Sequence, residues 1–279
     1  MLSAIVAGRR GSGLGFALPA IVLLLAFFVV PVVALLTRSV TEPELGLQNY
    51  VTLVGSSTYA RIFFNTFFVS GVVTLITVLI AFPVAWALAV MPRLWASVVF
   101  AVILLSMWTN LLSRTYAWMV LLQQTGLINR SLMALGLIDA PIQLTNNLVG
   151  VTIGMVYIML PFMILPLMGV IKKIDPAILQ AAALCGASRW QALWRVLVPL
   201  ATPGIASGAL MVFVMSLGYY VTPSLLGGTA NMMLAELIAQ QVQSLLNWGM
   251  GGAAAFLLLI VTLGLYAVQL RFFEPKEGR

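Results

Sequence analysis

The sequence predicts an all-α integral membrane protein with six transmembrane helices, and three observations lead to this prediction. Hydrophobic residues make up 62% of the 279 residues and charged residues only 8%, whereas a soluble domain carries about 25% charged residues. Six apolar runs are close to the ~20 residues that a helix needs to cross a bilayer. The basic residues cluster in short loops between these runs, as the positive-inside rule predicts.

The six predicted spans cover residues 16–37, 62–90, 96–113, 147–170, 203–223 and 250–271. The first contains an apolar run from Phe16 to Leu36, which is longer than the ~7–15 residues of a signal-peptide core. We therefore expect an uncleaved first span. Proline within a span, such as Pro83, Pro161 or Pro166, is compatible with a helix bundle, because neighbouring groups can satisfy the freed backbone atoms.

The distribution of Lys and Arg predicts that both termini are cytoplasmic, because the opposite orientation would invert the positive-inside bias. We expect one transmembrane domain over residues 1–279, with a cytoplasmic N-terminus at 1–15 and a cytoplasmic C-terminus at 272–279. The predicted cytoplasmic residues are Arg9, Arg10, Arg93, Lys172, Lys173, Arg189, Arg195, Arg271, Lys276 and Arg279. The external ones are Arg38, Arg61, Arg114 and Arg130, which completes the 14 basic residues of the chain.

The composition also argues against other classes of protein. The chain has no His and a single cysteine, Cys185, so neither a disulfide framework nor a His/Cys metal site is expected. Seven acidic residues leave little material for acid–base catalysis. The sequence has no Gly-x-x-x-x-Gly-Lys-Ser/Thr loop, so we do not expect it to hydrolyse ATP by itself. The net charge of +7 does not indicate nucleic acid here, because the charges flank apolar spans.

Three predicted external stretches, 41–59, 123–147 and 227–248, mix apolar and polar residues at helical spacing. They are either a platform for a partner or interfacial helices with a packing role.

The cytoplasmic loop from Lys172 to Pro199 is predicted to contain two capped helices. Asp175 is a good N-cap before Pro176, and Gly186 is a natural C-terminal stop. A capping box then runs from Ser188 to Gln191. The second helix is predicted to be amphipathic and to break at two prolines before the fifth span; its apolar face consists of Trp190, Leu193, Trp194 and Leu197, and the prolines are Pro199 and Pro203.

The first helix of the loop presents the small residues Ala181, Ala182 and Ala183. Small side chains let another protein approach the backbone, which would suit docking in a groove. The alternative is an ordinary Ala-rich surface helix, because Ala is the best helix former.

Gln180-Ala181-Ala182, followed by Gly186 and then Val196 to Pro199, resembles the EAA signature of ABC importer permeases in sequence and spacing. The resemblance implies a coupling-helix loop at 172–199 between the fourth and fifth spans, in which Gln180, Ala181, Ala182, Gly186 and Pro199 contact the ATPase. Gln180 departs from the signature, which has Glu there; the amide retains hydrogen bonding but loses the charge.

Five further segments look like the spermidine/putrescine branch of these permeases: 112–118, 126–129, 135–139, 160–163 and 221–228. The resemblance implies import of a small polar nitrogen-containing solute such as a polyamine; relatives handle opines, aminophosphonates, amino-acid-like compounds and iron. It also implies a bacterial inner-membrane location and three kinds of partner. These are a second homologous permease, a homodimeric ATPase that binds ATP and Mg, and a periplasmic binding protein. No cofactor is expected on this chain.

Polar and aromatic residues within spans are candidates for the substrate path, because burying polar groups without partners is costly. The candidates are Trp108, Asn110, Arg114, Tyr116, Tyr157, Ser216, Tyr219 and Tyr220. An aromatic belt or helix packing is the alternative for Trp108, Tyr116 and Tyr157. Arg114 could instead extend to the outer surface.

The predicted path is poor in carboxylates. No Asp or Glu lies in the apolar part of any predicted span, and Tyr219, Tyr220 and Ser224 stand where related polyamine permeases commonly have acids. Tyrosines could hold a cation by cation–π contact, whereas Arg114 favours an anionic group. An ion-coupled secondary transporter would need intramembrane ionisable residues, which are nearly absent. A membrane enzyme and an assembly subunit are the remaining alternatives.

Overall fold

The computed structural model describes the backbone of residues 12–273 and the side chains of residues 17–269, and every regular element in this part is helical. The predicted termini lie largely outside the described residues, as do Arg9, Arg10, Lys276 and Arg279 and the side chain of Arg271. Helix α1 consists of Ser12–Leu24, a π-helical turn Leu25–Val29, and Val30–Thr41.

The other helices follow in chain order. They are α2 (Gln48–Gly55), α3 (Ser57–Val90), α4 (Arg93–Trp108), α5 (Leu111–Leu122), α6 (Leu127–Ala134), α7 (Leu148–Ile171) and α8 (Pro176–Leu184). Helix α9 joins Arg189–Ala192, a π-helical turn Leu193–Leu197 and Val198–Leu217. Then come α10 (Val221–Leu226), a 3-10 turn Thr229–Asn231, α11 (Leu234–Ala239, extended by a π-helical turn Gln240–Ser244) and α12 (Trp248–Phe273).

The prediction of an all-α membrane protein is confirmed for the described residues. Within residues 12–273, five helices are long and apolar enough to cross a membrane: Ala17–Thr41, Ser57–Val90, Leu148–Ile171, Arg189–Leu217 and Trp248–Gln269. They correspond to the first, second, fourth, fifth and sixth predicted spans. A sixth candidate is a pair of helices, Arg93–Trp108 and Leu111–Ala134, bent by 99° at a short break.

The predicted third span, 96–113, is wrong as one continuous helix. Helix α4 ends at Trp108, and Asn110 begins α5 by accepting hydrogen bonds at Oδ1 from the amides of Leu112 (2.9 Å) and Ser113 (3.3 Å). A residue in this N-cap role has non-helical backbone angles. The chain therefore turns at Thr109 and Asn110, although the apolar residues continue on both sides.

The predicted fifth span, 203–223, differs from the structure at both ends. Helix α9 continues through Pro199 and Pro203, so the predicted break at these prolines is wrong. The π-helical turn just before Pro199, in which the Val198 amide bonds to the Leu193 carbonyl, accommodates a residue that has no N–H. The helix ends at Leu217, and Tyr219 and Tyr220 are not helical.

The described chain divides into two compact units. In the larger unit, Ser56–Leu237 with Leu258–Arg279, helices α3, α7 and α9 pack on one another around the apolar core. Every fourth residue of α7 is fully buried there: Val151, Met155, Met159, Met163 and Leu167. Small residues let the helices approach closely; a Cβ at Gly204 would lie 2.9 Å from Cβ of Val170.

The smaller unit contains Met1–Gly55 and Ile238–Leu257. The Asn49 side-chain amide donates to the carbonyls of Ser39 (2.9 Å) and Glu42 (2.7 Å), and the hydroxyls of Ser39 and Tyr50 share a hydrogen bond of 2.8 Å. The Arg38 guanidinium lies 5.0 Å from the centre of the Trp248 ring. These contacts attach Asn49 and Tyr50 to the end of α1, and the end of α1 to the start of α12.

Candidate functional site

Helix α8 of the loop 172–199 has both of its predicted ends. Asp175 Oδ1 accepts a hydrogen bond from the Ala177 amide at 2.9 Å, which caps the N-terminus. At the other end the Ala187 amide bonds to the Ala182 carbonyl and the Gly186 amide to the Ala183 carbonyl, both at 3.0 Å. This pair of bonds is a Schellman motif, and both caps are confirmed.

Gly186 has a φ of +84°, and a Cβ built on it would meet no atom within 4 Å. The backbone conformation therefore requires glycine, because the left-handed region is unfavourable for other residues. Steric exclusion by a neighbouring residue is not the reason for glycine here, because the described residues leave room for a Cβ. Around this turn, Gln180 and Ala181 are exposed, Ala182 is half-buried, and Leu184 is 90% exposed. Helix α8 thus presents small residues and the apolar side chains of Ile178 and Leu184 to its surroundings.

The start of α9 has the predicted capping box. Ser188 Oγ accepts from the Gln191 amide at 3.2 Å, and Gln191 Oε1 accepts from the Ser188 amide at 2.9 Å. The predicted single apolar face is wrong, because the π-helical turn adds a residue and rotates Leu197 relative to the tryptophans. Leu197 is buried, whereas Trp190 and Trp194 are exposed and pack edge-to-face with ring centres 5.6 Å apart.

A second group of polar residues lies where α5 and α10 pack. Thr115 and Thr222 are both fully buried, and their Oγ1 atoms are 3.3 Å apart. Thr115 also bonds to the Leu111 carbonyl at 3.0 Å. A Cβ at Gly154 of α7 would lie 2.9 Å from Cγ2 of Thr222 and 2.8 Å from Cδ1 of Leu226. The absence of a side chain at Gly154 therefore lets α10 lie against α7.

Three predicted path residues lie around this threonine pair. Arg114 is half-buried, and its Nε is buried with no hydrogen-bond partner among the described residues. Tyr219 lies close to both Arg114 and Thr222. Tyr157 packs on Trp118, with ring centres 5.5 Å apart, and Trp118 is one helical turn beyond Arg114. Three further residues lie among these candidates and are not predicted from the sequence: Thr115, Trp118 and Thr222.

The other predicted path residues are placed differently. Ser216 is buried beside this group, since its carbonyl accepts from the Tyr219 amide at 3.3 Å. The Asn110 side chain is engaged as the cap of α5. The remaining three are exposed on this chain by 88% (Trp108), 49% (Tyr116) and 43% (Tyr220).

Glu236 is an acidic residue that the sequence had not singled out. It is half-buried in the first turn of α11, with its carboxylate close to the Met233 amide. Burial raises the pKa of this carboxyl, and the Met233 N–H offsets part of the effect. Thr66 Oγ1 accepts from the Leu234 amide at 2.8 Å, so a residue of α3 caps the same helix. The feature of the sequence that points to Glu236 is an acidic residue in the first turn of a short helix.

Long apolar helices that contain prolines, together with an exposed loop of two capped helices, are features of an all-helical membrane protein. The chain belongs to the family of binding-protein-dependent transport system inner membrane components, which it matches over residues 52–276. It is 34% identical over 225 residues to the spermidine/putrescine transport system permease protein PotB of Haemophilus influenzae, covering 81% of this chain and 78% of that protein. It is also 34% identical over 243 residues to the inner membrane ABC transporter permease protein YdcU of Escherichia coli, covering 82% and 76%.

Two solved structures have the same fold. A bacterial ABC transporter involved in the import of the acidic polysaccharide alginate gives a TM-score of 0.75 at 18% identity and covers 98% of this chain and 100% of that chain. The alginate transporter in complex with an alginate pentasaccharide-bound periplasmic protein gives 0.76 at 19% identity, with 96% of each chain covered. The predictions of a multi-pass inner-membrane protein and of an ABC importer permease that is not itself an enzyme are confirmed by the family and these relatives.

Proposed function

We propose that this chain forms part of the translocation path of an ABC importer for a small polar nitrogen-containing solute, with spermidine and putrescine as the first candidates. The observation that carries the proposal is the 34% identity to PotB over 81% of the chain. The aromatic residues near the threonine pair, Trp118, Tyr157 and Tyr219, are compatible with an ammonium ligand, because aromatic rings attract cations.

The proposed partners are a homodimeric ATPase, a second homologous permease and a periplasmic binding protein. Helix α8, with Gln180, Ala181 and the turn at Gly186, would dock on the ATPase, which would bind ATP and Mg; this chain would bind no cofactor. Helix α9 runs from this loop through Pro199 to Leu217. Displacement of α8 by the ATPase would therefore act on a helix that reaches deep into the proposed path, shifting the populations of two access states.

The proposed topology has six spans, with the bent pair α4 and α5–α6 as the third and both termini in the cytoplasm. The positive-inside bias supports it, since Lys172, Lys173, Arg189 and Arg195 all lie between the end of α7 and the uncharged part of α9. The three external stretches would then face the binding protein, and residues 1–279 would form one transmembrane domain.

A second candidate substrate is an anion-bearing nitrogen compound, such as an opine, an aminophosphonate or an amino-acid-like solute. The half-buried Arg114 favours it, because its Nε atom has no hydrogen-bond partner in the described part of the chain and lies near Tyr219. A guanidinium is well suited to carboxylate and phosphonate groups and would repel a polycation.

Uptake into vesicles that contain the complete importer separates these two candidates. The binding protein is first titrated with spermidine, putrescine and anionic amino compounds, and uptake of the bound solute is then measured. If the solute is anionic, Arg114→Gln lowers uptake at least about tenfold, through loss of a charged hydrogen bond. If it is a polyamine, Arg114→Gln leaves uptake equal or higher. The exposed Arg130→Gln is the matched control, and failure of the binding protein to bind any polyamine would overturn the first candidate.

A further inference from the structure

A cavity of about 540 Å³ lies in the larger unit where α3 ends, α4 begins and α7 ends. Its walls include the apolar residues Leu88, Met91, Phe100 and Met168 and the cations Arg93 and Lys172. Helices α3 and α7 are both long and apolar enough to span a membrane. Because both end here, the cavity lies at the level where a bilayer changes from acyl chains to headgroups.

The polar side of this cavity is positively charged. Arg93 opens α4 and Lys172 ends α7, so two elements far apart in sequence bring cations to the same opening. Both side chains are exposed, and neither forms an ion pair within the described residues. The first turn of α4 also has no side-chain cap, which leaves backbone N–H groups and the positive end of the helix dipole at this point.

The apolar side of the cavity continues onto a surface suited to lipid. Leu88 and Met168 contribute to the buried apolar packing of α3 and α7, and Phe100 lies one to two turns along α4. On the outside of the same helix start, Leu94 is 72% and Trp95 is 60% exposed. Tryptophan beside a cation at the end of a span is typical of the membrane interface.

We propose that this cavity binds an anionic phospholipid, with the phosphate at Arg93, Lys172 and the first turn of α4 and an acyl chain along Phe100 and Met168. Two cations and unpaired amides match a phosphodiester, and basic pockets between spans are suited to anionic headgroups. The apolar wall provides no recognition for a free phosphate ion. This site is remote from the proposed substrate path, and its occupation does not depend on which solute is carried.

Native mass spectrometry of the purified full-length chain in detergent tests the proposal. The chain is titrated with dioleoyl phosphatidylglycerol, with dioleoyl phosphatidylcholine and with inorganic phosphate as a competitor. We expect tighter binding of phosphatidylglycerol than of phosphatidylcholine. A cation near a lipid surface contributes about fivefold in affinity, so the double variant R93Q/K172Q should weaken phosphatidylglycerol binding about 30-fold.

Two further variants keep the test decisive. K173Q removes the neighbouring lysine, which does not line the cavity, and should bind as the wild type does. R93K/K172R keeps both charges and should stay within about threefold of the wild type. Equal binding of the two lipids, or an equal loss in K173Q, would overturn the proposal. Displacement of the lipid by millimolar inorganic phosphate would assign the site to a soluble anion instead.

Discussion

Gly186 shows how one backbone angle defines the end of helix α8. Its φ of +84° allows the two bonds that close the Schellman motif, from the amides of Gly186 and Ala187. Gly186→Ala should lower the free energy of unfolding by about 1–2 kcal/mol, because a Cβ is unfavourable in the left-handed region. Denaturant unfolding of the full-length chain in detergent measures this change.

The control for this prediction is Gly71→Ala in α3, where a Cβ also meets no atom within 4 Å but φ is helical. That variant should be as stable as the wild type or up to about 1 kcal/mol more stable. A loss in Gly71→Ala as large as in Gly186→Ala would show that the backbone angle is not the cause.

Thr66 is a residue whose side chain joins two distant segments of the chain. It is fully buried, donates to the Ile62 carbonyl at 2.7 Å and accepts from the Leu234 amide at 2.8 Å. Thr66→Val keeps the shape but leaves the Leu234 N–H unpaired, so the free energy of unfolding should fall by about 1–3 kcal/mol. Thr66→Ser keeps both bonds and should lose less. Equal losses in the two variants, measured by denaturant unfolding, would mean that the hydrogen bonds of Thr66 contribute no more to stability than the contacts of its methyl group.

Residue-scale contacts such as this one could not be predicted from the sequence. Thr115 and Thr222 are separated by 107 positions. In the sequence, each is an ordinary polar residue within an apolar stretch. Arg114 and Tyr219 were recognisable as candidates because charge and aromaticity stand out in a span. Their proximity depends on the packing of α5 on α10, which no local pattern contains.

At the scale of elements, capping motifs were predictable and helix breaks were not. The N-cap at Asp175, the stop at Gly186 and the capping box at Ser188 each depend on a few neighbouring residues. The breaks at Asn110 and after Leu217 lie inside continuous apolar stretches. Hydropathy averaged over such a stretch does not detect them. Asn110 is the available signal for the first break, because Asn is a preferred N-cap residue, but a polar residue within an apolar stretch also predicts a path residue.

Helix α11 provides a prediction about pH. Burial raises the pKa of Glu236 above the ordinary value of about 4.3, so the folded state favours the protonated carboxyl. The folded state is then most stabilised below pH about 4.3, and stability falls as the pH rises through the raised pKa. Glu236→Gln removes this titration and keeps an acceptor for the Met233 amide. The variant should therefore gain stability relative to the wild type between pH 4 and pH 7.

Melting temperatures of the two proteins across this pH range provide the measurement, and Glu44→Gln is the control at an exposed carboxylate. The Glu44 variant should follow the wild type at every pH. A constant difference between wild type and Glu236→Gln over the whole range would contradict a role for Glu236 ionisation.

At the scale of the whole molecule, composition alone predicted the class of protein. An apolar fraction of 62% can be buried only in a membrane or in a very large core. The apolar runs of the sequence are long enough to span a bilayer. Topology is also a whole-molecule property, because it depends on the balance of basic residues over all the loops. The identity of the substrate cannot be predicted in this way, because it depends on a few side chains within the path and not on the composition.

The single native cysteine makes the topology directly testable. Cys185 is the only cysteine of the chain and is exposed at the end of α8. In the proposed orientation it faces the cytoplasm, so a membrane-impermeant maleimide should label it in inside-out vesicles and not in intact spheroplasts. In the background Cys185→Ser, the variant Ala230→Cys, exposed in the stretch 227–248, should show the opposite pattern. Labelling of Cys185 from outside would invert the topology.

The same cysteine also tests docking of the ATPase. If α8 enters a groove of the ATPase, co-assembly should slow the labelling of Cys185 in inside-out vesicles at least about tenfold, because the neighbouring Leu184 and Ala181 would be covered. Ala230→Cys in the Cys185→Ser background should be labelled at the same rate with and without the ATPase. An unchanged Cys185 rate in a complex shown to be assembled would place the ATPase contact elsewhere than on α8.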